Sequence, residues 1–323
     1  MDGSDRRRRL NKEVTILGRK RKMKKMLLAG LSMILFTGCA STETVDLPSQ
    51  TPQATQSSES KETTNRLDII QERGTLIVAT SPDYAPMEFI DTNKQGQDQY
   101  VGSEMEFARY IANQLGVKLE IKAMDFGLIM SSVDLGQVDI GMAGFGYEAE
   151  RAENFELSYG YNKAGDSGCQ GLMVPTDHYD DYQALQDFAN KTIIAQSGSM
   201  QESIVKQQIP DASLQLVSTL DLALMSLIGG KADAFACSCD QMMAFEKNYP
   251  DLKMSQVIFE TDEEDLYAGN IMLVQKGQTE FIDYLNDIVV DINENGTFDT
   301  WHADAKALAD SLGLEFELSL IHI

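Results

Sequence analysis

The sequence predicts an α/β protein of two lobes, each a mostly parallel sheet flanked by helices. Three observations point there. Strand-like and helix-like segments alternate from Thr75 to Met142, which is the βαβα pattern of a parallel sheet with helices on its faces. The same alternation restarts at Gly171. The stretch between the low-complexity head and the short tail is roughly 250 residues, too long for one small domain and comfortable for two lobes.

The elements follow in order. Thr75–Ala79 is a short apolar run of β type. Met105, Ala108, Ile111, Ala112 and Leu115 fall on one face of a helix over Glu104–Leu115. Gly116 stops that helix, and Val117–Ile121 alternates like a strand. Leu128–Leu135 reads as a helix and Val138–Met142 as a strand. In the second half, Gly171–Val174, Thr192–Ala195 and Ala234–Cys237 read as strands. Met200–Gln207, Leu220–Leu227 and Gln241–Lys247 read as helices. After an acidic loop, Gly269–Val274 is again a strand, followed by helices over Thr279–Asn295 and Asp299–Leu312. Gly296 is the expected stop between those two, with Thr297 or Asp299 as the next N-cap. Two similar α/β units in one chain imply a cleft between them, a favoured place for a ligand.

The ends read as something other than fold. Basic residues at Arg6–Arg9 and Arg19–Lys25 precede an apolar run, Met26–Phe36, too short for a permanent membrane span and suited to a signal-peptide core. Residues 1–38 are therefore read as a signal peptide. Met23-Lys24-Lys25 already makes a complete basic head, so the residues before it read as a spurious extension. Thr37-Gly38-Cys39 resembles a lipoprotein signal, in which Cys39 is acylated and becomes the first residue; an ordinary secretory signal cut nearby is the alternative. Residues 39–65 are rich in Ser, Thr, Gln, Glu and Pro and lack aromatics, so they cannot bury enough apolar surface to fold. As a flexible coil this linker reaches roughly 25–30 Å. The tail, residues 318–323, resembles a frame translation of a sequencing-library adapter and reads as a cloning or sequencing artefact, a genuine apolar tail being the alternative.

The formal charge is −23, from 27 Lys/Arg against 50 Asp/Glu. Eleven of the basic residues but only three of the acidic ones precede Cys39, so the remainder is more acidic still. Such a chain is not expected to bind nucleic acid, which needs clustered Lys and Arg. After Cys39 three cysteines remain: Cys169, Cys237 and Cys239. One disulfide fits an oxidising compartment, as Cys169–Cys237 or Cys169–Cys239, and buried free thiols are the alternative. A Cys-x-Cys pair alone, with three histidines in the chain, is too little for zinc. No cofactor or metal is expected.

Ordered motifs carry a family resemblance. Asp83-Tyr84-Ala85-Pro86-Met87-Glu88-Phe89, Gly102-Ser103-Glu104-Met105-Glu106 and Leu115-Gly116-Val117 resemble the opening of the family 3 extracellular solute-binding proteins of amino-acid ABC importers. Asp125-Phe126, Leu135 to Asp139, Glu150-Arg151 and Tyr159 to Tyr161 continue the likeness. Ser197-Gly198-Ser199, Gly230 to Ala234, Asp240 and Gly296-Thr297-Phe298 complete it, over about residues 66–312. The resemblance implies a type II periplasmic-binding-protein-like fold with two hinge crossovers. Residues 66–163 and 271–317 would form the first lobe and residues 164–270 the second, closing by hinge motion. It also implies a monomer that delivers an amino acid or derivative to a membrane permease and is held at the outer face of the membrane by its lipid.

An α-amino acid presents a carboxylate and an ammonium at fixed separation. Arg151 matches the family's carboxylate-binding arginine, whose planar fork fits two oxygens; a surface arginine beside Glu148, Glu150 and Glu153 is the plain alternative. Asp240 matches the position that receives the ammonium, the alternative being a helix N-cap. Ser199, at a helix start, is expected to offer its hydroxyl and nearby N–H groups to the carboxylate. Tyr84 and Phe126 match the aromatics that sandwich the side chain, or are core aromatics. Glu88 and Glu104 are candidates for meeting a cationic side chain, or are solvated carboxylates. The chain departs from the family where Gly146 and Met200 replace hydroxyl residues. Backbone groups of Gly144 and Gly146 can still reach a ligand, and the space left at Gly146 is expected to admit a bulkier or modified amino acid. Cationic, polar and sulfur-containing ligands all stay open. A non-transport surface receptor is a rival reading. So is a dehydratase or lyase on the same scaffold, which would need a cleft carboxylate with a raised pKa; no catalytic pattern accompanies Glu88 or Glu104, and the chain is not expected to be an enzyme.

Overall fold

The computed structural model describes residues 65–162, 169–261 and 265–313. The expectations for the signal peptide, for Cys39, for most of the linker and for the tail lie outside these. Asn65, assigned above to the linker, belongs to the fold. Its side chain accepts from Leu67 N and caps helix α1, Arg66–Arg73.

The first lobe is built on a five-stranded sheet. Its strands are β1 (Thr75–Thr80), β4 (Lys118–Ala123), β5 (Ile140–Gly141), β6 (Phe155–Leu157) and β12 (Leu273–Gln275). They run in the order β4-β1-β5-β12-β6, parallel except for β12, which is antiparallel to both neighbours. Two short strands, β2 (Phe89–Ile90) and β3 (Tyr100–Val101), make a separate hairpin. Strand β1 reads as an unbroken apolar run because both of its faces are covered. Leu76 and Val78 face a core built with α2 (Ser103–Leu115) and α8 (Thr279–Asn295). Ile77 and Ala79, alternating with them, face a second core with α3 (Phe126–Asp134). Helix α9 (Thr297–Ser311) packs its Phe298 into the first of these cores.

The second lobe repeats the plan. Its strands are β7 (Gln170–Pro175), β8 (Thr192–Gln196), β9 (Ser213–Val217), β10 (Ala234–Ser238) and β11 (Leu252–Ile258). The order is β11-β7-β10-β8-β9, with β7 the one strand running against the rest. Helices α5 (Met200–Gln208), α6 (Leu220–Ile228) and α7 (Cys239–Asn248) cover it. Each lobe also carries the same aspartate device. In the first, Ile77 N donates to Asp139 Oδ2 at 2.7 Å and Asp139 N donates to Ile77 O at 2.8 Å. In the second, Thr192 N donates to Asp233 Oδ2 at 2.7 Å and Asp233 N to Thr192 O at 2.8 Å.

The chain passes between the two sheets twice, and the passages touch. Tyr161 and Asn270 exchange both backbone hydrogen bonds at 2.8 Å, and Asn162 Nδ2 donates to Asn270 Oδ1 at 2.9 Å. Among the described residues no helix is long and apolar enough to cross a membrane.

Several local expectations are corrected. The strand expected over Val138–Met142 is only Ile140–Gly141, because Asp139 turns its carboxylate onto Ile77 N. The strand expected from Gly269 begins at Leu273, and Asn270 instead pairs across the hinge. Gly296, in the left-handed region at φ 68°, both ends α8 and caps α9, so neither Thr297 nor Asp299 is the N-cap. Asp240 is not a cap either: Ser238 holds that place, its Oγ accepting from Gln241 N. Helix α1, the β2–β3 hairpin, β6, β9 and β11 carry no element assignment in the sequence reading. They are short or half-exposed, and β9 lies at a sheet edge, so their apolar periodicity is weak.

Candidate ligand-binding site

A cavity of about 80 Å³ lies between the lobes. It is lined by Tyr84, Glu88, Phe126, Gly144, Gly146 and Arg151 of the first lobe, and by Ser199, Met200 and Asp240 of the second. Of the ten residues singled out from the sequence as ligand contacts, only Glu104 is not on its wall.

Arg151 is buried, at 5% exposure, in the short helix α4 (Ala149–Asn154). Its Nη1 donates to Gly146 O at 2.8 Å, and its Nη2 donates across the cleft to Gly198 O at 3.1 Å. Glu148 pairs with it at 2.5 Å, and its Cζ sits 5.2 Å from the centre of the Phe145 ring. Its Nε is buried with no partner. Burial draws the guanidinium's pKa down while Glu148 and Glu150 oppose that. The reading of Arg151 as a surface residue is thus corrected. Asp240 faces the same cavity from the first turn of α7 and is exposed.

Ser199 caps α5, its Oγ accepting from Glu202 N at 3.2 Å. The neighbouring Gly198 N donates to Glu202 Oε2 at 2.7 Å. The loop's own Glu202 therefore takes an N–H that the sequence reading offered to a ligand, because a capping carboxylate three residues into a helix folds back onto the turn before it.

The two glycines admit specific side chains. A Cβ on Gly144, which has φ 61°, would lie 2.7 Å from the Tyr84 ring. A Cβ on Gly146 would lie 2.4 Å from Met200 Cε. The space expected at Gly146 for a bulkier ligand is therefore filled, by Met200 from the opposite lobe. Two departures from the family pattern turn out to be one packing contact.

Tyr84 is half-buried, with its hydroxyl 3.4 Å from Ser238 Oγ across the cleft. Burial raises its pKa. Phe126 is 8% exposed and stacks at a tilt on Phe145, centroids 4.7 Å apart.

Glu88 and Glu104 are both fully buried, which corrects the solvated alternative. Glu104 accepts from Tyr161 Oη at 2.8 Å and from Gly144 N at 3.1 Å. Those donors favour its charged form against the upward pull of burial. Glu88 has no such donors: both of its oxygens are without a partner. Burial, and next the charge of Glu104, push its pKa well above the ordinary carboxylate range. Of the two, Glu88 holds the proton.

Asp83, part of the Asp83–Phe89 motif, has a structural place that its sequence position does not announce. From the first lobe its Oδ2 accepts from Leu220 N at 2.9 Å and from Gln196 Nε2 at 3.1 Å, both in the second. Its carboxylate sits at the N-terminus of α6, where the helix dipole favours it. Burial raises its pKa, and the hydrogen bonds from Leu220 N and Ser81 Oγ oppose the shift. The only sequence signal was its place beside Tyr84. The disulfide is Cys169–Cys239, one of the two pairings left open, and Cys237 is a buried free thiol.

Residues 76–304 match the family of bacterial extracellular solute-binding proteins, family 3. The arginine-binding extracellular protein ArtP of Bacillus subtilis is 27% identical over 222 residues, 68% of this chain and 82% of that protein. A crystal structure of the amino acid ABC transporter substrate-binding protein AbpA of Streptococcus pneumoniae, bound to L-arginine, superposes with a TM-score of 0.67 at 29% identity, covering 74% of this chain and 98% of that one. An ancestral amino-acid-binding protein described as a precursor of cyclohexadienyl dehydratase superposes with a TM-score of 0.62 at 25% identity, covering 74% of this chain and 98% of that one. With its two-lobed α/β fold and a cleft lined from both sides, the chain belongs to the family 3 bacterial extracellular solute-binding proteins.

Proposed function

We propose that this chain is the receptor of an amino-acid ABC importer, working outside the cytoplasmic membrane and tethered to it through Cys39. One observation carries the reading: Arg151 from one lobe and Asp240 from the other line a single cavity. A guanidinium receives the α-carboxylate and a carboxylate receives the ammonium, so a zwitterion bridges the lobes and favours their closed arrangement. Residues 66–163 with 271–317, and residues 164–270, act as the two closing bodies. Tyr84 and Phe126 flank the side chain of the ligand, and Glu88 meets its distal end.

The unpartnered carboxyl of Glu88 favours a cationic side chain, in keeping with the arginine-binding relatives. A guanidinium or ammonium there supplies the opposite charge that Glu88 lacks and drives its proton off. Calorimetry tests both points. Arg151→Ala weakens binding by about 2–5 kcal/mol, the usual cost of truncating one partner of a buried charge pair; an unchanged dissociation constant removes Arg151 from the site. Titrations with arginine in buffers of different ionisation enthalpy report about one proton released in the wild type and none in Glu88→Gln. Loss of fatty-acid labelling in Cys39→Ala checks the anchor.

A second reading has one observation behind it. A buried, protonated Glu88 on a cleft wall is what a general acid requires, and the ancestral dehydratase precursor shares the fold. Turnover of a cyclohexadienyl acid by the wild type, abolished in Glu88→Gln, would favour it over transport.

A further inference from the structure

Five of the described residues bury a side-chain nitrogen or oxygen without a hydrogen-bond partner: Arg66, Thr80, Glu88, Arg151 and Gln241. Three of them, Glu88, Arg151 and Gln241, line the cavity of about 80 Å³, whose whole wall is 21 residues. Buried polar groups are nearly always paired, so orphans gathered on one small wall mark where a ligand's polar groups belong. Glu88 and Arg151 are proposed above to meet a ligand's side chain and its carboxylate. Gln241 has no such part.

Gln241 is 3% exposed, and both its amide oxygen and its amide nitrogen lack a partner. It stands beside Asp240 in the first turn of α7, after the Ser238 cap, and all three residues line the wall. Its backbone N–H is already held by Ser238 Oγ, so its side chain is what it offers to the cavity. A primary amide presents an acceptor and donors side by side. The ammonium and carboxylate of an α-amino acid also stand side by side, on one carbon. The two pairs are complementary: an ammonium N–H donates to Oε1, and Nε2–H donates to a carboxylate oxygen.

Arg151 leaves room for such help. Its Nη2 carries two hydrogens, and Gly198 O at 3.1 Å and Glu148 Oε1 at 2.5 Å take them. Each two-pronged grip of a guanidinium on a carboxylate uses Nη2, with Nε or with Nη1. Arg151 therefore keeps single donors, the unpartnered Nε among them. It holds one carboxylate oxygen well, and the other oxygen depends on donors elsewhere on the wall. Gln241 Nε2 is a buried donor with nothing else to hold.

We propose that Gln241 is a third anchor for the amino-acid head of the ligand. Its Nε2 completes the hold on the carboxylate beside Arg151, and its Oε1 shares the ammonium with Asp240. This rests on the reading of Arg151 and Asp240 as the anchors of those two groups.

Calorimetry over the twenty standard L-amino acids first identifies the tightest binder. That amino acid, the amine lacking its α-carboxylate and the acid lacking its α-ammonium are then measured, by displacement where binding is weak. The proteins are the wild type, Gln241→Leu, Gln241→Glu and Arg151→Ala, with thermal unfolding to confirm that each is folded. Gln241→Leu is expected to weaken the amino acid about tenfold or more, and to weaken each analogue by a smaller factor, because each analogue has already lost one of the two contacts. Gln241→Glu keeps an acceptor and sets a negative charge against the carboxylate. It is expected to weaken the amino acid and the acid while sparing the amine, and it carries the test by itself should Gln241→Leu not fold. Losses of one common factor for all three ligands in both variants show a residue that shapes the wall or holds water, and overturn the proposal. An amino acid bound as tightly by Gln241→Leu as by the wild type overturns it too. In either case weakened binding by Arg151→Ala leaves the amino-acid reading standing. An affinity unmoved in Arg151→Ala, or no amino acid bound by the wild type, overturns both.

Discussion

Glu88 shows how little a residue's name says about its state. Its carboxyl is buried beside Glu104, which already has Tyr161 Oη and Gly144 N as donors. Two adjacent carboxylates in a dry place cannot both ionise at low cost, so the less supported one keeps its proton. A carboxyl raised in the folded state binds more protons than the unfolded chain between its ordinary pKa of 4.5 and its raised one. Stability from this group is therefore greatest at low pH and falls as pH climbs through that window. Urea unfolding at several pH values is expected to show a steeper decline for the wild type above pH 4.5 than for Glu88→Gln, with the variant gaining at neutral pH. Identical slopes would mean that Glu88 is not the protonated partner. Asp139 and Asp233 make a second comparison at this scale. Both accept a strand N–H, but Asp139 also holds Arg73 and the buried Arg66, at 3.4 Å for the latter. Asp139→Ala leaves a buried guanidinium without its carboxylate and is expected to cost about 3–5 kcal/mol. Asp233→Ala loses one hydrogen bond and is expected to cost about 1–3 kcal/mol. Chemical denaturation of the two variants checks the order.

Helix α7 brings two polar side chains of the second lobe to the cavity wall. Ser238 caps it, Asp240 and Gln241 occupy its first turn, and Cys239 ties that turn to Cys169 just before β7. The backbone repeats the tie, Cys239 N donating to Cys169 O at 3.0 Å. The bridge closes a loop over a sequence separation of 70 residues. Constraining a loop of that length in the unfolded chain is worth about 4 kcal/mol on the loop-entropy account. The double variant Cys169→Ser/Cys239→Ser is expected to lose up to that amount in urea unfolding, and to bind ligand more weakly because Asp240 sits on the loosened turn. A variant as stable as the wild type would show that the bridge constrains nothing. The Gly146–Met200 contact belongs here too, since it joins the segment before α4 to the first turn of α5.

For the whole molecule, the decisive contacts are those that cross the cleft. Asp83 reaches Leu220 N and Gln196 Nε2, Arg151 reaches Gly198 O, and Tyr84 meets Ser238. Each is made only while the lobes are together, so each biases the hinge at Tyr161 and Asn270 toward closure. Asp83→Ala touches none of the groups assigned to the amino-acid ends of the ligand. It is expected to weaken ligand binding by about 1–3 kcal/mol, the cost of leaving buried donors unpaired. Small-angle scattering should show a larger radius of gyration for Asp83→Ala than for the wild type at equal ligand saturation. Equal radii and equal affinities would remove Asp83 as a latch.

Length, apolar periodicity and turn residues were enough to read the two α/β units, because a strand buried on both faces and a helix with one apolar face each write their period into the chain. The residues proposed to hold a ligand were picked out through ordered motifs, and all but Glu104 line one cavity. Pairing across space was not legible. That Met200 fills the place beside Gly146 and that Asp83 caps a helix of the other lobe depend on how the lobes meet, and that Glu88 lies against Glu104 without a donor and that Cys239 rather than Cys237 meets Cys169 depend on packing within a lobe. Those distances arise from packing between segments far apart in the chain, and local sequence carries no record of them.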